Sequence, residues 1–194
     1  MGYLLFIFYL IFFCWLITRI KFFRNCGLNS KVLTILFWIR TIAGLTSGYI
    51  SLYHYPVSDS LEFQKQGIAE FNLLLSNPYE YLTNIFHTNY NNYSNFFESS
   101  GSFWNDLRAN IIAKILSIFD LFSGQSFFTN TLFFNFLIFF GAVYFYKIFL
   151  KLLPGHRLII IICVSLLPSV VYFMGEIHRA GFIFFCLSKV FYKT

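Results

Sequence analysis

Charge is scarce in this sequence. Lys, Arg, Asp and Glu make up 11% of its 194 residues, whereas a soluble domain carries about 25%. A chain this poor in charge cannot wet the whole surface of an ordinary soluble fold. Cysteine is scarce too. Cys14, Cys26, Cys163 and Cys186 form no CxxC pair and none lies in a polar stretch, which argues against a disulfide framework and a zinc site. Three of them read as small apolar residues within helices. A P-loop, a GxSxG elbow and a GxGxxG turn are missing as well, so no nucleotide-binding or serine-hydrolase signature is present. No internal repeat and no Gly/Ser linker divides the chain. The net charge of +6 is not gathered on one polar domain, and nucleic acid is therefore excluded as a partner.

Apolar surface is what the sequence has in abundance. It is 58% hydrophobic and 23% aromatic, with 29 Phe and 13 Tyr, more than a soluble core of this size would take. The apolar residues fall into runs at about 2–18, 32–53, 129–150, 157–175 and 180–192. A bilayer crossing needs about 20 residues, roughly 17 to 25. The expected fold is therefore all-α: one membrane domain over 1–194, a multi-pass bundle of about five transmembrane helices. A cleaved signal peptide is disfavoured at the N-terminus. Its positive charges should precede the apolar run, whereas Arg19, Lys21 and Arg24 follow it.

Orientation follows from Lys and Arg in short loops. Arg19, Lys21, Arg24 and Lys31 lie after the first run. Lys147, Lys151 and Arg157 lie around the junction of the third and fourth runs, and Lys189 and Lys193 lie near the end of the chain. With five alternating runs all three groups share one face, the cytoplasmic one. The N-terminus and residues 54–127 are then outside, and the expected location is a bacterial cytoplasmic (inner) membrane. Seven of the eight acids, Asp59, Glu62, Glu70, Glu80, Glu98, Asp106 and Asp120, fall within 54–127.

That extracytoplasmic segment reads as helical. Leu61, Ile68, Phe71 and Leu75 have helical spacing over 58–75, Pro78 interrupts, and 79–86 suits another turn or two. Residues 89–102 are a loop by composition. Leu107, Ile111, Ile115 and Ile118 mark a second amphipathic helix over 103–122. Such helices suit the membrane interface plane or a cap on the bundle.

A few polar residues could carry chemistry. Asp59 is the first acid after the second helix. Its carboxylate suits a general base toward an acceptor hydroxyl, or a metal bridging a lipid phosphate. Asp59 followed by Glu62 also resembles a helix-capping box. Arg40, about nine residues into the second helix, is costly in hydrocarbon by roughly 2.5 kcal/mol or more. It should face the bundle interior or snorkel toward the cytoplasm. Asn130 and Asn135 suit interhelical hydrogen bonds. Pro168 should kink the fourth helix. Glu176, Ile177, His178 and Arg179 form a second outward polar cluster. It is either a plain turn or, with His54 and Asp59, a phosphate site held by His178 and Arg179. A transporter is disfavoured because few polar residues fall at midplane depth.

The order of these features resembles a known family. An outer segment opens with an acid and carries amphipathic helices. A later helix ends in Leu167-Pro168-Ser169 and leads to Ile177-His178-Arg179-Ala180-Gly181. Matching stretches are Lys21-Phe22-Phe23-Arg24-Asn25, Phe103-Trp104-Asn105-Asp106-Leu107 and Phe122-Ser123-Gly124. Together they resemble the protein mannosyltransferase-like group of the GT-C glycosyltransferases, of the type found in Bacteroidetes. The resemblance implies a hexosyltransferase that uses a polyprenyl-phosphate-linked sugar at the outer membrane face, with membrane lipid as its surroundings. It implies Asp59 as the catalytic acid and His178 with Arg179 as the match to a His-Lys pair. By position alone, Glu62 joins Asp59 as a candidate catalytic acid, and His54, Arg40 and Glu176 join His178 and Arg179 as candidate phosphate or substrate ligands. A divalent metal is the one cofactor it would admit. Two positions depart from the pattern: Glu176 stands where a small residue precedes Ile-His, and Ala180 where an acid follows. GT-C enzymes have more helices than this chain, so a truncated copy or an N-terminal portion is expected. The competing expectation is a non-catalytic or decayed membrane protein, such as a subunit in envelope polysaccharide assembly. It entails no converging polar groove.

Overall fold

The computed structural model describes residues 2–55, 58–86 and 103–193, with side chains from 106 onward in the last stretch. The loop expected over 89–102 lies outside the described residues. Within them the chain is all-helical, with no strand. Three helices are long and apolar enough to cross a membrane: α1 (Gly2–Arg19), α3 (Ser30–Tyr53) and α7 (Phe127–Leu152). A short α2 (Lys21–Arg24) follows α1. The fourth apolar run is α8 (Arg157–Ile161), a π turn over Ile162–Leu166, and α9 (Pro168–Gly175). The two halves meet at a bend of 45° and make a fourth crossing if taken as one span. Pro168 therefore breaks this helix rather than kinking it. Proline has no N–H to continue the ladder and it disfavours helical geometry at Leu167, which adopts φ −59°, ψ 131°. The fifth apolar run is α10 (Arg179–Lys193), 15 residues long, about 22 Å at the rise of an α-helix.

The packing centre is α7, which touches α1, α3, α6, α8, α9 and α10. Aromatic rings fill the space between α1, α2, α3 and α7. Phe13 stacks on Phe136 at 4.3 Å, Phe23 lies 4.6 Å from Phe140, and Phe37 lies 5.5 Å from Phe139. Where backbones come closest, glycine makes room. A Cβ on Gly181 of α10 would sit 2.3 Å from Ile138 Cδ1 on α7, and one on Gly141 of α7 would sit 2.9 Å from Phe185 Cα. This is the small-residue packing of membrane helices, which lack a hydrophobic drive toward one another.

The basic ends of the helices gather at one end of the bundle. Lys147 Nζ donates to the Phe22 carbonyl at 3.0 Å and lies over the Phe22 ring, and Lys151 lies over Tyr192. The polar segment occupies the opposite end, where α3 finishes and α7 begins. It comprises α4 (Asp59–Ser76), α5 (Pro78–Thr83), a 3-10 turn over Asn84–Phe86, and α6 (Phe103–Ser123). The helices α4 and α6 lie against each other, and Gly67 meets Leu116 so closely that a Cβ would sit 2.7 Å from it.

The faces these two helices bury differ from those expected. On α4 the buried residues are Ser60, Phe63, Gln64 and Gly67, while Leu61, Ile68 and Phe71 are only partly covered and Leu75 is exposed. On α6 they include Ile112, Leu116, Ser117 and Asp120, one step round from the expected Leu107, Ile111, Ile115 and Ile118 stripe. Ser60, Gln64, Gly67, Ser117 and Asp120 share this contact with the apolar Phe63, Ile112 and Leu116, while Leu75 and Ile118 stay exposed. That arrangement suits helices lying on lipid.

Candidate functional site

The site begins with a stripe of small residues on α3. Thr41, Gly44, Ser47, Gly48 and Ser51 are all buried. At Gly44 the backbone of α9 comes so near that a Cβ would lie 2.0 Å from the Gly175 carbonyl oxygen. The last turn of α9 is thereby pressed against the last turns of α3.

Arg40 holds the same joint from below. It is fully buried, its Nε donates to Asn135 Oδ1 on α7 and its Nη2 to the Met174 carbonyl, both at 3.3 Å. It faces the bundle interior and does not snorkel. The Met174 carbonyl is one of the acceptors left open at the end of α9, where a cation is favoured. Asn135 Nδ2 donates to Thr41 Oγ1 at 3.2 Å, and Asn130 Nδ2 donates to Gln64 Oε1 at 2.9 Å and Asp120 Oδ1 at 2.6 Å. Both asparagines thus make the interhelical hydrogen bonds their positions suggest.

Glu176 follows directly and is 8% exposed. Ser47 Oγ of α3 donates to one carboxylate oxygen, and Ser60 Oγ of α4 donates to the other at 2.5 Å. One side chain at the exit of α9 therefore ties α3 to α4. Ile177 is then fully buried with Phe63, Ile112 and Leu116, which anchors the turn on the floor of the polar segment.

With the turn fixed, His178 and Arg179 point to the start of α4. Arg179 Nη2 donates to Asp59 Oδ2 at 3.0 Å, across 120 residues of sequence. The Arg179 guanidinium lies 5.6 Å from the Phe63 ring centre, and its Nε is buried without a hydrogen-bond partner. The residue that caps α4 is Ser58, with φ −111° and ψ 146°. Asp59 therefore stands inside the first turn, and its carboxylate serves Arg179 rather than a capping box. Glu62 is exposed on the next turn and accepts from Gln66 Nε2 at 3.2 Å. The Ala180 N–H donates to His178 Nδ1 at 3.2 Å. The neutral ring's proton is therefore on Nε2, leaving that nitrogen as a donor. Burial pushes the His178 imidazole below its ordinary value of 6.5. Asp59 and, more weakly, Glu176 oppose this, while Arg179 adds to it.

Two hollows open on either side of Asp59. One of about 200 Å³ is lined by Ser51, Ser58, Tyr172, Phe173, Glu176 and His178 together with Asp59 and Ser60. The other, about 180 Å³, is lined by Asp59, Glu62, Phe63, Arg108 and Arg179 among others. Asp59 is half exposed at 54%, so a ligand in either hollow can reach it.

No family profile, curated protein or solved structure matches this chain.

The site is thus described by its own chemistry. Among the residues singled out in the sequence, Asp59, Glu62, Glu176, His178 and Arg179 are brought together. His54 is exposed at the end of α3 and lines neither hollow. Arg40 supports the turn from inside the bundle and lines neither. Ser47, Ser60, Phe63, Gln66 and Arg108 belong to the site without having been singled out. Ser47 carried a readable signal, because Gly44, Ser47, Gly48 and Ser51 repeat at the spacing of one helix face. Among the described residues no three His, Cys, Asp or Glu side chains cluster as a metal site needs. The donors around Asp59 thus do not fit a resident divalent ion. What they do fit is an anion. A guanidinium with an unused buried donor and an imidazole N–H stand beside a carboxylate able to take a proton.

Proposed function

We propose that this chain is a GT-C-like glycosyltransferase, or the N-terminal part of one, using a polyprenyl-phosphate sugar donor at the outer face of a bacterial cytoplasmic membrane. The observation that carries this reading is the pairing of Asp59 with Arg179 at 3.0 Å, beside His178 and between two hollows. It supports the residue roles that the resemblance to the protein mannosyltransferase-like group implies. The segregation of basic helix ends from the polar segment supports the orientation, with the N-terminus outside and the C-terminus cytoplasmic. The meeting of Asp59 with Arg179, His178 and Glu176 favours an enzyme over a non-catalytic or decayed membrane protein.

In this reading the donor phosphate is held by Arg179 and by Nε2–H of His178. An incoming phosphate draws the guanidinium away from Asp59, and the freed carboxylate accepts the proton of an acceptor hydroxyl. The hydroxyl oxygen forms a bond to the anomeric carbon as the bond from that carbon to the phosphate oxygen breaks. The electron pair leaves with the polyprenyl phosphate, whose charge the same two side chains neutralise. Protonated Asp59 returns its proton to water. No step passes through a metal.

Asp59→Asn keeps size and hydrogen bonding but removes the base. In proteoliposomes supplied with a polyprenyl-phosphate-linked labelled sugar, transfer should fall by about 10²-fold or more, with membrane insertion unchanged. Transfer at the original rate would overturn the role of Asp59.

A further inference from the structure

The hollow that holds Arg179 does not end at the Asp59 site. Its far wall, Gln66 and Ala109, is also the near wall of a further cavity of about 230 Å³ lined by Ala69, Glu70, Asp106, Asn110 and Ala113. The two form one furrow between α4 and α6, running from Asp59 away from the bundle. Phe63, Ile112 and three alanines supply its apolar lining, beside charged and amide side chains.

Resting on the transferase reading, the geometry points to this furrow as the binding site for a neutral, hydroxyl-rich acceptor: an oligosaccharide chain whose terminal hydroxyl reaches Asp59. A sugar hydroxyl both donates and accepts hydrogen bonds. Carboxylates supply acceptors, the Arg179 guanidinium supplies donors, its Nε being without a partner, and the Gln66 amide supplies both. An apolar ligand would strip water from these groups without replacing it. The charge is close to balanced, which disfavours a strongly charged ligand. Asp59 is answered by Arg179 at 3.0 Å and Glu70 by Lys114 at 2.6 Å, while Glu62, Asp106 and Arg108 share the walls. Gln66 sits at the junction and is oriented by its bond to Glu62.

Saturation-transfer NMR on the whole chain in nanodiscs tests this. The probes are neutral oligosaccharides of glucose, mannose, galactose and N-acetylhexosamine, with oligolysine as the rival ligand. At least one oligosaccharide should bind. Gln66→Ala, which removes one amide's hydrogen bonds, and Ala109→Leu, which fills the junction, should each weaken binding by about tenfold. Ala109→Ser should leave it intact. If Ala109→Leu does not fold, Gln66→Ala decides alone. The proposal is overturned if no oligosaccharide binds, if Gln66→Ala leaves binding unchanged, or if oligolysine binds and the sugars do not. A transfer assay on the unaltered chain separates the two readings. Sugar binding that persists without any transfer by the unaltered chain would sink the transferase and leave the furrow standing.

Discussion

Asp59 and Asp120 carry the same functional group and have opposite surroundings. Asp59 is half exposed and faces a guanidinium. Asp120 is 2% exposed, its hydrogen-bond partners are the neutral Asn130, Gln64 and Ser123, and its Oδ2 is unpartnered. Burial raises the Asp120 carboxyl above its ordinary value of 3.8, and the three hydrogen bonds only partly oppose this. A folded value above the unfolded one means that Asp120 contributes stability fully present below about 3.8, which is lost as pH rises through the folded value. At neutral pH the buried carboxylate therefore works against folding. Asp120→Asn, which can still accept from Asn130, should raise the melting temperature at pH 7 by an amount equal to about 1 kcal/mol. The gain should shrink toward pH 4. A thermal scan showing lower stability at pH 7 would contradict this. The sequence grouped Asp59 with Arg179, whereas the burial of Asp120 was not legible there, since it depends on which partners the fold delivers to the carboxylate.

At the scale of helices, what matters is where the chain has no side chain. Gly44 and Gly175 bring α3 and α9 into backbone contact, and the turn after Gly175 places Glu176 between two serines. Gly44→Ala gains about 1 kcal/mol of helix propensity. It also drives a methyl group to 2.0 Å from a carbonyl oxygen, and overpacking of this kind costs about 1–3 kcal/mol. The steric term should win. The variant should unfold at lower denaturant than the parent, and a cross-link between cysteines at positions 47 and 176 should form more slowly as α9 moves off. Equal stability would mean that the close approach is not required. The same scale explains why the expected faces of α4 and α6 were displaced. Periodicity located their apolar stripes, but Phe63, Ile112 and Leu116, one step round, are what pack inside the protein, while Leu75 and Ile118 stay outside. A hydrophobic pattern alone does not distinguish those two environments.

For the whole molecule the decisive feature is polarity from end to end. Basic residues close one end around Phe22, Lys147 and Tyr192, and α4, α5 and α6 cover the other. In oriented cells, a single cysteine at Lys65 in a background without the native cysteines should react with a membrane-impermeant maleimide. One at Lys31 should react only after the membrane is opened. The reverse pattern would invert the orientation, and labelling at both without opening would exclude an odd number of crossings between them.

Composition and periodicity by themselves determined the helical class, the apolar spans, the segregation of charge and the pairing tendency of Asn130 and Asn135. These follow from local physics: the length of a bilayer, the cost of charge in hydrocarbon, and the need of buried amides for partners. Tertiary structure alone decided that Asp59 meets Arg179, that Glu176 is held by Ser47 and Ser60, that Arg40 points inward, and that α4 and α6 form a polar furrow. Those contacts join residues up to 134 positions apart. Their strength comes from close packing and shared burial, which no spacing along the chain encodes.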